Sequence, residues 1–297
     1  MLKQQTTFPY EILIYDDAST DSTPAIIEEY ATLYPDVIKP TLYKENNFQK
    51  GLGFYGLRVG FNEARGKYIA YLEGDDYWTN PHKLQKQVDF LESHPDYEAC
   101  VHETVIRNDE DTKVDGTLFT HLKENIFIDC SKIDSRITFN DTLTGTIFHI
   151  SSIMFRNHPI TWPEGIEKVK ALDMILFMII AERGNIFLMR DKMSVYRHNR
   201  KSITSTQNQF TTAIAFNTIS IGILDQMNDY WHGKYSKLIN PKIARYYVNN
   251  MFVYLSKGAR DYRKAREMAK LARRYSWSMY CKYLFVEGYY KLRKHLK

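Results

Sequence analysis

Five carboxylates stand where chemistry can use them. The stretch YEILIYDDASTDST carries Asp16 and Asp17 directly after an apolar run, and YIAYLEGDDYW carries Asp75 and Asp76 in the same relation. Asp173 opens the long apolar segment ALDMILFMIIAERGNI. Adjacent like charges repel and each resists desolvation, so such a pair signals a nearby cation or open water. A hard divalent cation, magnesium or manganese, needs only one or two protein carboxylates when phosphates supply the remaining oxygens. The rival explanation for each pair is helix capping, for which Asp is strongly favoured. For Asp173 it is a carboxylate stabilised by the helix dipole at an N-terminus.

Groups so far apart in sequence need elements that end together. YEILIYDD, VIKPTLY and KYIAYLEG read as short strands. TPAIIEEYATLYPD reads as a helix with Thr23 at the cap and Pro24 at the first helical position, GFYGLRVGFNEAR as a second helix, and NPHKLQKQVDFLESHP as a third, capped by Asn80. Strand and helix alternate, which predicts an α/β, Rossmann-like, mixed and mainly parallel sheet with helices on both faces. In such sheets ligands bind beyond the carboxyl ends of the strands, so both acidic pairs converge on one crevice. Further along, YEACVHETVI, GTIFHISSIMFR, NIFLM and MSVYRHN read as strands. A helix from about Val169 to Arg183 ends at Gly184, a residue suited to a left-handed cap. From roughly Gln207 only helical periodicity remains, which divides the chain into 1–206 and an all-helical 207–297.

The ordered blocks YEILIYDDASTDST, ARGKYIAYLEGDDYWTNPHKLQKQVDFLESHP and ALDMILFMIIAERGNI resemble those of the family-two inverting glycosyltransferases with the GT-A fold. The resemblance covers residues 1 to about 200. It implies that Asp17 hydrogen-bonds a nucleobase, usually uracil, that Asp75 lies near the ribose, and that Asp76 coordinates a Mn2+ or Mg2+ ion bridging the diphosphate. It further implies that Asp173 is the catalytic base. Two positions depart from the family pattern: Leu172 precedes Asp173 where Glu is common, and Arg58 stands where an Asn or a basic residue approaches the nucleotide. The resemblance also implies a strand and helix ahead of MLKQQTTFPYEIL, so an N-terminal truncation is expected, with an inactive nucleotide-sugar-binding scaffold as the alternative outcome. A sugar nucleotidyltransferase would display a Gly-rich, basic start.

Other residues are secondary candidates. His149 and Ser152 fall in the segment that faces the acceptor in the family, although strand periodicity alone accounts for GTIFHISSIMFR. Arg197 and His198 follow the Asp173 segment and are candidates for the diphosphate side, although a lone His in a basic loop is commonly just solvated.

The composition, 44% hydrophobic and 25% charged over 297 residues, is that of a globular chain. Charge is unevenly spread: from Trp231 onward 17 Lys or Arg face 3 Asp or Glu, so the +5 total conceals an acidic body and a basic tail. The tail interleaves aromatics with cations on helices, which suits an anionic membrane surface and a lipid-linked acceptor, or a solvated helical appendage. No nucleic-acid module is recognisable. Cys100, Cys130 and Cys281 are too few and scattered for a disulfide framework or zinc cluster, and no leader or spanning segment stands out. The expected location is the cytoplasm, peripheral at the inner face of the membrane.

Overall fold

The computed structural model describes the backbone of residues 1–108, 113–117, 135–145, 148–169, 171–198, 209–256, 260–282 and 284–285. The chain forms two compact units, Met1–Arg200 and Lys201–Lys297.

The first unit begins with β1 (Ile12–Asp16), α1 (Thr23–Leu33) and β2 (Ile38–Leu42). β1 and β2 form a parallel pair in the register Ile12 to Ile38 through Asp16 to Leu42. Pro40 is tolerated because β2 is an edge strand, where one face of the backbone needs no donor. Then follow α2 (Tyr55–Glu63), β3 (Tyr68–Ala70), β4 (Tyr77–Trp78), α3 (Lys83–Ser93), β5 (Tyr97–Asn108), β6 (Lys113–Thr117) and β7 (Arg136–Ile137). A short helix α4 (Phe139–Thr142), β8 (Met154–Arg156), α5 (Leu172–Arg183) and β9 (Asn185–His198) complete it. The second sheet runs β3-β8-β5-β9-β4, with β6 on β5 and β7 on β9.

The sheet is mixed, as expected, with its longest pairings parallel. Among the described strands β1 with β2 and β5 with β9 pair in parallel, while β8 enters antiparallel between β3 and β5. Helices cover both faces. Along β5 the side chains alternate: Ala99 and Val101 join Phe177 and Ile180 of α5 and Phe61 of α2, while Cys100 joins Leu84 and Leu91 of α3. Helix α5 is buried on nearly every side from Leu172 to Ala181. Such an all-round apolar helix belongs in the middle of a core, each large side chain contributing about 1.5–3 kcal/mol.

Several local expectations need correction. Ser22, not Thr23, precedes α1, and Asp21 Oδ1 accepts from Thr23 N at 2.9 Å. His149 caps a 3-10 turn at Ile150–Ser152, so among the described residues of GTIFHISSIMFR only the last three are strand. NIFLM and MSVYRH lie in the single strand β9. Gly184 has φ −177°, extended rather than left-handed. A Cβ there would lie 3.2 Å from Glu98 Cβ, a close approach that glycine eases.

The second unit contains α6 (Gln209–Tyr230), α7 (Ser236–Leu255) and α8 (Tyr262–Tyr275). Small residues of α8, Ala265, Ala269 and Ala272, pack against Val248 and Met251 of α7. Asn217 Nδ2 donates to Asn250 Oδ1 at 2.7 Å between α6 and α7, and Tyr275 OH donates to the Asp225 carboxylate. These buried polar pairs fix which faces meet.

Helix α2 owes its position to glycine. A Cβ on Gly56 would lie 2.8 Å from Tyr15 Cβ, and one on Gly60 2.7 Å from the Tyr15 ring. Gly56→Ala gains about 1 kcal/mol of helix propensity. Overpacking against β1 costs about 1–3 kcal/mol and should prevail. Urea denaturation is expected to show net destabilisation, and an unchanged midpoint would mean that α2 shifts freely away from Tyr15.

Candidate active site

Asp16 and Asp17 leave β1 in different roles. Asp16 is buried and its Oδ2 accepts from Ser19 N at 2.9 Å, closing a turn. Asp17 Oδ1 accepts from Asn47 N at 2.8 Å and Asn47 Nδ2 at 2.9 Å, and its Oδ2 from Phe48 N at 2.9 Å. Burial alone would raise the Asp17 pKa. The Phe48 and Asn47 donors outweigh it and hold the carboxyl below its usual value. Asp17 thereby anchors the 46–48 loop and retains one free acceptor direction of its roughly four. Tyr43 stacks on Tyr15 at 6.5 Å and meets Tyr55 edge-on at 5.6 Å, an aromatic wall beside it.

The second pair divides more sharply. Asp75 is exposed, whereas the Asp76 side chain is 0% exposed. β4 pairs with β9 through Tyr77 to Val195 and Trp78 to Ser194, which carries Arg197 alongside. Arg197 N donates to Asp76 Oδ1 at 3.0 Å, and Arg197 Nε donates to the Asp75 carbonyl. Asp76 Oδ2 has no hydrogen-bond partner. Burial pushes the Asp76 pKa up to about 7, against the Arg197 donor that lowers it. Glu73 rises to about 8, through burial first and then the charges of Asp76, Asp75 and Asp173.

His149 completes the group. Its Nδ1 lies 3.5 Å from Asp76 Oδ2 and its Nε2 3.7 Å from Glu73 Oε2. Burial lowers its pKa to about 4, so at neutral pH the ring is uncharged and these contacts are not ion pairs. Glu73, Asp76 and His149 each offer a ligand atom within 4.8 Å of the others. A neutral imidazole, two carboxylates and a bare, buried oxygen suit a divalent cation, and the nitrogen donor favours manganese over magnesium.

The group rests on a polar underlayer. Trp78 Nε1 donates to Ser151 O at 2.9 Å; Ser151 Oγ contacts His149 Nδ1 at 2.9 Å and donates to Ser194 Oγ at 3.0 Å, which contacts Thr104 Oγ1 at 2.9 Å. Lys83 is fully buried, donates to Gln87 Oε1 at 2.7 Å, and sits 4.2 Å from the Trp78 ring centroid. Gln87 Nε2 in turn donates to Ser152 O at 2.9 Å. Burial lowers the Lys83 pKa to about 7.

A cavity of about 1070 Å3 is lined by Asp17, Tyr43, Glu73 and Asp76 together. Asp173 stands in the first turn of α5, and its charge reaches both Tyr71 and Glu73. Carboxylates from three distant segments therefore gather. Ser152 is fully buried and its Oγ donates to His149 O at 2.6 Å. Arg58 lies on α2 with Nε buried and unpartnered, and no described contact joins it to the acidic group. The His198 side chain and Cys130 lie outside the described residues. Sequence reasoning missed Glu73 and Lys83. Glu73 was the more legible, since Gly74 and Asp75 signal a turn and Asp76 N donates to Glu73 O across it, which brings residues i and i+3 together.

In the metal-free chain Glu73 and Asp76 hold protons more tightly than unfolded carboxylates, whose values lie near about 4. Their contribution to stability is intact below that value and is lost as pH rises through 7 to 8. Lys83 acts oppositely: stability rises as pH climbs from about 7 towards about 10. A double variant Glu73→Gln, Asp76→Asn should therefore remove a fall in Tm between about pH 4 and 8. Manganese affinity, measured by calorimetry, should rise over the same interval with proton release. Affinity independent of pH would place the cation elsewhere.

Comparison with known proteins agrees with the geometry. The Glycosyl transferase family 2 model matches residues 1–158. An uncharacterised protein of Mycobacterium tuberculosis is 32% identical over 204 residues, covering 67% of this chain and 53% of its own length. The chain thus spans about half the length of that relative. A glycosyltransferase of Nostoc is 35% identical over 111 residues, 37% of this chain and 32% of its own. The Escherichia coli UDP-Glc:alpha-D-GlcNAc-diphosphoundecaprenol beta-1,3-glucosyltransferase is 39% identical over 90 residues, 30% of this chain and 32% of its own.

Proposed function

The chain belongs to glycosyl transferase family 2, and from that membership we propose that it moves a sugar from a nucleotide-diphosphate donor to a glycan or lipid-linked acceptor, with inversion. The donor is a UDP-sugar, and the product belongs to cell-surface polysaccharide. The observation that carries this is the buried Asp76, its Oδ2 bare between Glu73 and His149, on the cavity that Asp17 also lines. The E. coli relative's name supplies the parallel for a UDP-linked donor and a lipid-linked acceptor.

Each residue takes a part. Asp17 offers its remaining acceptor direction to the nucleobase, with Tyr43 and Phe48 as stacking faces. Asp75, exposed, is positioned for the ribose. Glu73, Asp76 and His149 would hold a divalent cation, which when bound neutralises charge on a departing diphosphate. Arg197 holds Asp76 through its backbone and leaves the rest of its guanidinium for phosphate oxygens. Arg58, on the buried side of α2, supports the nucleotide side.

The displacement is a single step. The acceptor oxygen bonds to the anomeric carbon as the bond to the diphosphate oxygen breaks, and Asp173 takes the acceptor proton. Asp173→Asn should retain donor binding and lose transfer by about 100-fold or more. Undiminished transfer would remove Asp173 from the mechanism.

The second unit points the enzyme at a membrane. Among the described residues no helix is long and apolar enough to cross one. Helix α8 buries its alanines and exposes Arg263, Lys264, Arg266, Lys270, Arg273 and Arg274, with Trp277 61% exposed just beyond. A basic face with an aromatic anchor fits an anionic cytoplasmic leaflet, each cation contributing about 1 kcal/mol. Reversing Arg263, Lys270 and Arg274 to Glu should abolish sedimentation with phosphatidylserine vesicles at low salt. Unchanged sedimentation would reject α8 as the docking face.

A further inference from the structure

The turn between α6 and α7 gathers an aromatic and basic cluster that the transfer chemistry does not use. Trp231 meets Tyr230 edge-on at 5.8 Å and Tyr235 edge-on at 5.2 Å. Lys234 Nζ lies 4.7 Å over the Tyr235 ring. Leu238, in the first turn of α7, is 42% exposed. From Trp231 to Lys242 the chain carries Lys234, Lys237 and Lys242 and no carboxylate side chain.

The backbone beneath is bonded to itself. His232 and Gly233 both take the left-handed conformation, with φ 49° and 76°, and so reverse the chain sharply between the two helices. Gly233 N donates to Asn228 O at 2.8 Å, His232 N to Asp229 O at 2.9 Å and Lys234 N to Trp231 O at 3.0 Å. Ser236 Oγ donates to Asn228 Oδ1 at 2.9 Å, which ties the first turn of α7 to the last turn of α6. The rings and lysines therefore stand on a preformed knob.

We propose that this knob is a second lipid anchor, seated among the headgroups of an anionic leaflet, with Trp231 and Tyr235 at the acyl boundary and Lys234 and Lys237 on lipid phosphates and carboxylates. Three cations without a carboxylate select an anionic partner. Rings with polar tips, beside an exposed leucine, select one that is wet above and apolar beneath. An anionic bilayer is both. Lysine stems lie along apolar surface while their ammonium groups reach outward to the headgroups. Peptide groups that enter such a zone must find their hydrogen bonds within the chain, and His232, Gly233 and Lys234 do so. This anchor presupposes the membrane association proposed for the second unit. It differs from the basic face of α8 in kind, because ring insertion survives salt that screens an array of surface charges.

The test takes the 297-residue chain and vesicles of phosphatidylserine and phosphatidylcholine whose acyl chains are brominated, so that only indoles at the acyl boundary lose fluorescence. Binding should quench part of the tryptophan emission, and Trp231→Phe, a change that keeps an aromatic ring in the turn, should lower the quenched fraction. Trp231→Ala with Tyr235→Ala should weaken vesicle partitioning by about tenfold or more, at high salt as well as low. Quenching in Trp231→Phe equal to that of the unaltered chain, on vesicles that still bind both, overturns the knob and leaves α8 as the docking face. No binding by the unaltered chain rejects the knob and the membrane association together. An emission shift with soluble dextran that Trp231→Phe abolishes, without quenching by vesicles, assigns the knob to a glycan and overturns it too. Manganese binding, which none of these variants should change, reports separately on the transferase site.

Discussion

A carboxylate held out of water with one oxygen unsatisfied is the constraint on which the first unit depends. Desolvating Asp76 disfavours its charge, and the fold offsets this with a single backbone donor, Arg197 N, on a strand more than a hundred residues away in sequence. That donor is available only while β4 and β9 keep their register, since a slip of one residue would turn every side chain of the pair to the other face. The site is therefore as well defined as the sheet that carries it. The bare Oδ2 is the residual cost, and it is the feature a cation would relieve.

The underlayer explains how such a group persists. Trp78, Ser151, Ser194 and Thr104 form a run of hydrogen bonds that fixes His149 from below, and Lys83 with Gln87 ties the same turn to α3. A buried lysine without a carboxylate is tolerable because it can lose its proton near neutrality and share its remaining bonds with Gln87 and the Trp78 ring. Polar networks of this kind specify one arrangement over its neighbours, since each member left unpaired would be penalised. His149 is consequently held towards Glu73 and Asp76 with its ring uncharged at neutral pH.

Charge is divided between the units in a way that matches their proposed tasks. Acidic groups converge in the first, where phosphate and cation chemistry needs them, and the cations of the tail collect on the outward face of α8, whose inner face is spent on alanine contacts with α7. The aromatic residues follow the same division. Those of the first unit, Tyr15, Tyr43 and Tyr55, pack against one another near Asp17, while Trp277 and Tyr262 remain exposed at the ends of the basic helix.

The amino-acid sequence by itself determined the alternation of strands and helices, the helical tail, and the positions of Asp17, Asp75, Asp76 and Asp173 at the ends of elements, because these follow from local periodicity and from adjacency along the chain. Tertiary structure decided which carboxylate is buried and which is exposed, the recruitment of Glu73 and His149 to Asp76, the interior position of Lys83, the antiparallel entry of β8, and the close approach at Gly184. Asp76 depends on Arg197 and Gly184 on Glu98, partners many residues distant, and burial is a property of such a partner's arrival as much as of the residue's own neighbours.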